Sequence, residues 1–451
     1  MLNQALIDRY RCPEGIAEFC LAGELSEDSG FFAFGQDTIC YGRSALNSLA
    51  AYPTDHLYDA ARDVKVEGSI LRLPFDPMNV IENLRLERYA SNALPNGARQ
   101  AAARIVRNAY YAVRPLMPIA LRRHFQKLHL RGRHRVPFPC WPVDRTVEEI
   151  LERFLVLSMK AQGVNEIPFI WFWPDGASGC LLMTHDVETT AGRDFCPRLM
   201  DINDAFGVKA SFLIVPEKRY TVPEDFLQNI RERGFEVGVQ DLNHDGHLYS
   251  NRDEFLRRAK LINQYAKEYR AQGFRAAVLY RNLDWYSALD FRYDLSVPNA
   301  AHLEAQAGGC CTLFPYFIGK LLELPVTTTQ DYSLFHILGE YSIDLWKKEI
   351  RLIFEKHGLA SFIIHPDYII ETEKQGIYKE LLGYLSRLRA EENAWIALPM
   401  EIDRWWRARS QMKLVSEAGK WSIEGPEKER ARIAYARLAN DRLEYHIEGK
   451  S

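Results

Sequence analysis

Cys180-Leu181-Leu182-Met183-Thr184-His185-Asp186-Val187-Glu188 is an apolar run that ends in a polar turn carrying two carboxylates. Its first half has the length and composition of a buried strand. The same pattern recurs downstream. Apolar runs at 210–215, 235–239, 274–279, 293–295, 320–324, 359–364 and 395–398 alternate with helical periodicity at 197–206, 224–233, 252–271, 344–357 and 373–391. Strand and helix in alternation predict a parallel sheet covered by helices. About eight strands over this span predict a closed or slightly irregular parallel (β/α) barrel of seven or eight strands. The less regular stretch 290–340 is expected to hold a degenerate unit.

In such barrels the chemistry sits where strands end. The first run ends in Asp186 and Glu188, with His185 between Thr184 and Asp186. The run 235–239 leads into Gln240, Asp241, His244 and His247. The run 274–279 carries Arg275 and leads into Arg281 and Asn282. The run 359–364 ends in His365. Each signal alone is weak; four successive polar strand ends point to a site. Two carboxylates and a histidine suit hydrolysis, in which a metal acidifies a water, a carboxylate takes its proton and a second acid protonates the leaving group.

These motifs resemble those of the polysaccharide deacetylases, carbohydrate esterase family four, over roughly 180–400. Asp186 and Glu188 are similar to the family's pair of base and metal-binding carboxylate, with Glu where Asp is usual. Gln240-Asp241-Leu242-Asn243-His244 is similar to its His-x-x-x-His motif, with Gln240 at the first ligand place. Arg275 matches an arginine that orients the base, and Phe362-Ile363-Ile364-His365 the strand ending in the acid. The resemblance implies metal-dependent removal of an N-acetyl group from an amino sugar. Asp186 is then the base, His365 the acid and Arg275 the orienting cation, with Glu188, His244 and Gln240 on a divalent metal. Gln240 offers a poorer zinc ligand than imidazole, so zinc or a harder ion such as Mn or Mg is expected. Two other readings stay open: a saccharide-binding protein without turnover, and a hydrolase of a different C–N amide. Trp285, Glu323 and Asp331 are candidate pocket residues, and Asp294 a candidate partner of His365.

The remainder of the 451 residues frames this region. Composition is that of a globular protein, 47% hydrophobic and 26% charged, with a net charge of −3. Residues 1–98 read as an α+β region, with a hairpin across 30–42 and a helix over 80–89. Residues 99–178 read as a basic helical segment and linker, 179–410 as the barrel and 411–451 as a small β appendage. The stretch 99–135 holds ten Lys or Arg and no acid. Its helices, 101–113 and 119–130, are expected to be a solvated face, a peripheral contact with an anionic membrane or a holder of an anionic ligand. Its aromatics are not interleaved as a stacking platform, so nucleic acid is not expected. The expected partner is an acetylated saccharide, free or as a lipid- or nucleotide-linked sugar. No basic segment precedes an apolar run at the N-terminus, and no stretch approaches the ~18 apolar residues of a membrane span. The expected location is cytoplasmic, with membrane association through 99–135. Eight scattered cysteines without a C-x-x-C pair are expected to be reduced.

Overall fold

The run that opens the barrel is a strand of eight residues, β1 (Cys180–Val187), buried along its whole length. In this computed structural model, residues 2–90 (apart from 17, 36, 37 and 47) and 136–449 are described. The basic stretch 99–135 lies outside them. The barrel continues with β2 (Ser211–Ile214), β3 (Glu236–Gln240), β4 (Gly273–Arg275), β5 (Tyr293–Asp294), β6 (Leu321–Glu323), β7 (Leu359–Ile364) and β8 (Trp395–Ala397). The sheet runs β6-β5-β4-β3-β2-β1-β7, all parallel. An antiparallel strand, Tyr316–Ile318, flanks β6. β8 pairs with the first three residues of β1, below the point where β2 takes over. The sheet curls toward closure. Beyond β6, the Thr327 hydroxyl donates to Leu359 O at 2.6 Å and Thr328 N to Ser361 O at 3.3 Å, both on β7. The fold is therefore the irregular parallel barrel expected, with additional sheets at both ends of the chain.

Burial on both faces explains the composition of β1 and β7. Strands covered by helices on one side and by the barrel interior on the other carry apolar residues continuously. The helices are α1 (Thr190–Ala205), α2 (Glu224–Glu232), α3 (Arg252–Glu268), α4 (Asp344–Phe354), α5 (Thr372–Glu391) and α6 (Pro399–Gln411). α1 begins seven residues before Pro197, the residue that reads as its start. The Thr189 hydroxyl accepts from Gly192 N and caps it, and Pro197 lies inside the helix. α6 has no counterpart in the apolar periodicity. It is started by Pro399 and by Glu401, whose carboxylate accepts from Leu398 N at 2.8 Å.

The N-terminal hairpin Gly30–Ala33/Ile39–Gly42 forms as its sequence predicts. The helix read over 80–89 is shifted to Pro77–Arg85, because Asp76 caps it through Met78 N and Asn79 N. The tail strand Ile433–Ala439 pairs with Glu166–Ile170 on one edge and with Arg442–Ile447 on the other, so the tail closes against the segment that leads into β1. Arg409 of α6 ties these parts together. Its buried guanidinium donates to Trp171 O, Ile170 O and Arg9 O. All eight cysteines are free thiols.

Three buried acids make stability pH-dependent. Burial pushes Glu236 up to about 8, Glu349 up to about 8 and Glu148 up to about 7. Each stays protonated in the folded chain to a higher pH than in the unfolded one, where carboxyls ionise near about 4.3. Their contribution is full below the unfolded value and is lost as pH rises through the folded one. The melting temperature is therefore expected to fall as pH rises from about 5 to about 8 and to level off above that, with a shallower slope in Glu236→Gln. A profile that rises over this range contradicts the assignment.

Candidate active site

Alternation along β1 decides what enters the barrel. Side chains two apart share a face, so Thr184 and Asp186 point inward and His185 points out. His185 is enclosed by the helices: Nε2 lies 3.0 Å from Asn203 Nδ2 of α1, and Tyr378 of α5 is alongside. Burial lowers its pKa to about 3, so it is neutral and belongs to the packing of the helix layer. It does not reach the site.

Inside the barrel, Arg275 is fully buried at the end of β4. Its Nη1 donates to Asp186 Oδ1 at 2.5 Å and to Thr184 Oγ1 at 2.8 Å, while Nε donates to Leu295 O. Thr184 in turn donates to Phe362 O. The guanidinium is thus held by three acceptors and aimed at one carboxylate. The register places Ile364 beside His185, which sets His365, the next residue of that chain, near Asp186. Asp331 fixes the imidazole from behind. Its Oδ1 lies 2.7 Å from His365 Nδ1, and its Oδ2 accepts from His365 N at 2.7 Å. Asp331, not Asp294, is therefore the partner of His365. Asp294 is paired with Glu323 across β5 and β6 and accepts from Ser296.

Glu188 is the meeting point. Its Oε1 lies 2.7 Å from His244 Nε2, 3.1 Å from Gln240 Nε2 and 3.5 Å from His365 Nε2. Burial alone would raise the Glu188 pKa, but His244 and His365 outweigh it and hold the carboxyl well below the usual range. Burial alone would lower His365, but Asp331 and Glu188 push it well above the ordinary imidazole value. Burial would likewise lower His244, and Glu188 reverses that.

Ligand atoms of Asp186, Glu188 and His365 lie within 4.8 Å of one another. A divalent cation fits this set, of which His244, in contact with Glu188 alone, is not a member. Two imidazoles and an amide converge on one carboxylate oxygen, an arrangement that asks for positive charge at its centre, from protons or from a metal. Gln240 is the atypical member. Its amide N–H groups donate to both Asp186 Oδ2 and Glu188 Oε1 at 3.1 Å, and its Oε1 is buried without a hydrogen-bond partner. Turning the amide over would present that oxygen to a cation.

The remaining candidates lie elsewhere. His247 sits on an exposed loop, where its backbone N donates to Asp245 Oδ1, outside the cluster around Glu188. The apolar run 274–279 is only half strand. It stops at Arg275, and Val278 (φ 58°) and Leu279 (φ 51°) turn the chain away. Arg281 and Asn282 are therefore not at a strand end. Arg281 is buried and pairs with Glu87 of the N-terminal region. Asn282 precedes the short turn Leu283–Ala288. Trp285 packs with Tyr249 and Phe255, ring centroids 6.2 and 5.4 Å away. Glu323 is buried and accepts from Val297 N at 3.0 Å. Thr184, the second acceptor of Arg275, was not singled out by sequence; its only signal is its place two residues before Asp186.

No protein-family model matches the sequence, and no curated protein matches it. Solved structures do match its fold. A protein assigned as a polysaccharide deacetylase from Mycobacterium smegmatis is 19% identical, over 53% of this chain and 93% of that one, with a TM-score of 0.43. Another so assigned, from Pseudomonas aeruginosa PAO1, is 13% identical over 52% and 93%, with a TM-score of 0.42. An allantoinase is 12% identical over 52% and 92%, with a TM-score of 0.41. Each of these likenesses spans about half of this chain.

Proposed function

We propose that the protein hydrolyses the N-acetyl group of an acetylated amino sugar. The observation that carries this reading is the paired arrangement of base and acid: Asp186 held by Arg275, and His365 held by Asp331, both beside Glu188 with ligand atoms of the three within 4.8 Å of one another. Asp186 takes the proton of the attacking water, and Arg275 holds its carboxylate in position for that purpose. His365 delivers a proton from Nε2 to the departing amine. Asp331 fixes the ring through Nδ1 and favours the charged imidazole needed for donation. Glu188 and His244 would hold a divalent metal, with Asp186 and the turned amide of Gln240 beside them. When bound, such an ion supplies Lewis-acid polarisation of a carbonyl oxygen. The cations of 99–135 support a phosphate-bearing form of the sugar, lipid- or nucleotide-linked.

The test is acetate release from a panel of acetamido sugars and open-chain acetamides, each with Zn, Mn or Co. Release from sugars is the expected result; release from open-chain amides alone would reassign the substrate. The Gln240 contacts favour a second reading, a saccharide-binding protein whose carboxylates are bridged by an amide instead of a metal. Metal affinity separates the two. Gln240→His replaces an amide by an imidazole and is expected to tighten zinc binding by at least about tenfold. Unchanged affinity, read by competition with a chromophoric chelator, would count against a metal centred on Glu188.

A further inference from the structure

Amide hydrolysis has two sides. Water adds its oxygen to the acetyl carbon, the C–N bond breaks with its electrons on nitrogen, and nitrogen takes a proton. One proton of the water rests on Asp186 until it exchanges with solvent. If His365 supplies the proton to nitrogen, the group carrying that nitrogen lies on the His365 side, and the acetyl carbon lies toward Asp186. Whatever flanks His365 meets the sugar.

Tyr368 flanks it. The turn Pro366–Tyr368 follows His365 directly, and Tyr368 N donates to His365 O at 3.1 Å. The two rings lie 4.8 Å apart between centroids, tilted by 42°. Tyr332 stands behind Tyr368 at 5.6 Å and 38°. Its own backbone N donates to Asp331 Oδ1, the oxygen that also holds His365. His336 presents against both tyrosines, at 5.3 and 5.2 Å. Tyr332 enters the π-helical turn Ser333–Leu338, a backbone form found frequently at functional sites. Both tyrosines are half-buried residues, neither fully enclosed. A pyranose has apolar C–H faces and a hydroxyl rim, and a tyrosine has an apolar face and a polar edge, so the two match in kind.

We infer that the Tyr368 ring, backed by Tyr332, is the surface on which the pyranose of the amino sugar stacks. The proposal takes the direction of the leaving group from the deacetylase reading. It restricts the substrate to ring-bearing acetamides; an open-chain amide has no face to lay on Tyr368.

Binding of N-acetylglucosamine and its trimer, measured by calorimetry and saturation-transfer NMR on Asp186→Asn protein, tests it without turnover. N-acetylethanolamine serves as the open-chain comparison. Tyr368→Leu keeps an apolar side chain and removes the ring, and is expected to weaken sugar binding by about fivefold to tenfold. Tyr368→Phe is expected to stay within about twofold of the parent, because the ring face is retained. In active protein the Leu variant raises KM for the sugar more than it lowers kcat. Sugar binding as tight in Tyr368→Leu as in the parent overturns the proposal, as does equal binding of ring and open-chain ligands. Acetate release by a protein whose KM ignores Tyr368 leaves hydrolysis standing and removes the stacking face. Tyr368-dependent, ring-selective binding without acetate release does the reverse.

Discussion

Asp186→Asn is expected to lower kcat for acetate release by about a thousandfold, the middle of the range for a positioned general base. The substitution is nearly isosteric. An amide oxygen at this place still accepts from Arg275 Nη1, so the side chain keeps its position. What is lost is the ability to take a proton. KM should change little, because Asp186 acts on the water and not on the sugar ring. Folding must be verified separately by circular dichroism. An Asn variant that is folded and retains wild-type kcat would remove Asp186 from the mechanism.

Arg275→Met has the largest expected effect on stability. Arg275 is fully buried, and it compensates a carboxylate that is itself nearly buried. Methionine fills much of the volume but leaves Asp186 without its cation. Breaking a buried pair in this way typically costs about 3–5 kcal/mol, because one charge is left uncompensated in low dielectric. The Leu295 carbonyl and Thr184 hydroxyl lose a donor as well. The double variant Arg275→Met/Asp186→Asn removes the orphaned charge and should recover part of the loss. Urea midpoints of the parent, both single variants and the double variant measure this coupling. Additive losses would mean that Asp186 and Arg275 do not depend on each other.

The fold was legible where burial leaves an uninterrupted signature. β7 lies at the boundaries of its apolar run, and β1 extends through Val187 because Thr184 and Asp186 pair inside the barrel and His185 pairs in the helix layer. The segment after β4 was not legible. Val278 and Leu279 are apolar residues in left-handed backbone, and nothing in Phe274–Leu279 distinguishes a turn from a strand. The partner of His365 was misread for a related reason. Asp294 lies at the end of β5 and Asp331 beyond β6, and the choice depends on how far β6 and the closing threonines carry the chain toward β7. Arg281 illustrates the same limit. Its partner, Glu87, is 194 residues away, beyond any local pattern. At Gln240 the residue type was visible and its geometry was not: alternation puts it inside the barrel, and only the structure shows its amide bridging both carboxylates.

No described helix is long and apolar enough to cross a bilayer. The chemistry rests on the constellation around Glu188, and one measurement addresses it most directly. Purified protein, loaded in turn with Zn, Mn or Co, is incubated at neutral pH with acetylated amino sugars, and acetate and free amine are counted against enzyme. The account predicts many equivalents of acetate, matched one to one by free amine, and their disappearance in Asp186→Asn. A folded, metal-loaded wild-type protein that binds these sugars and releases no acetate would contradict it.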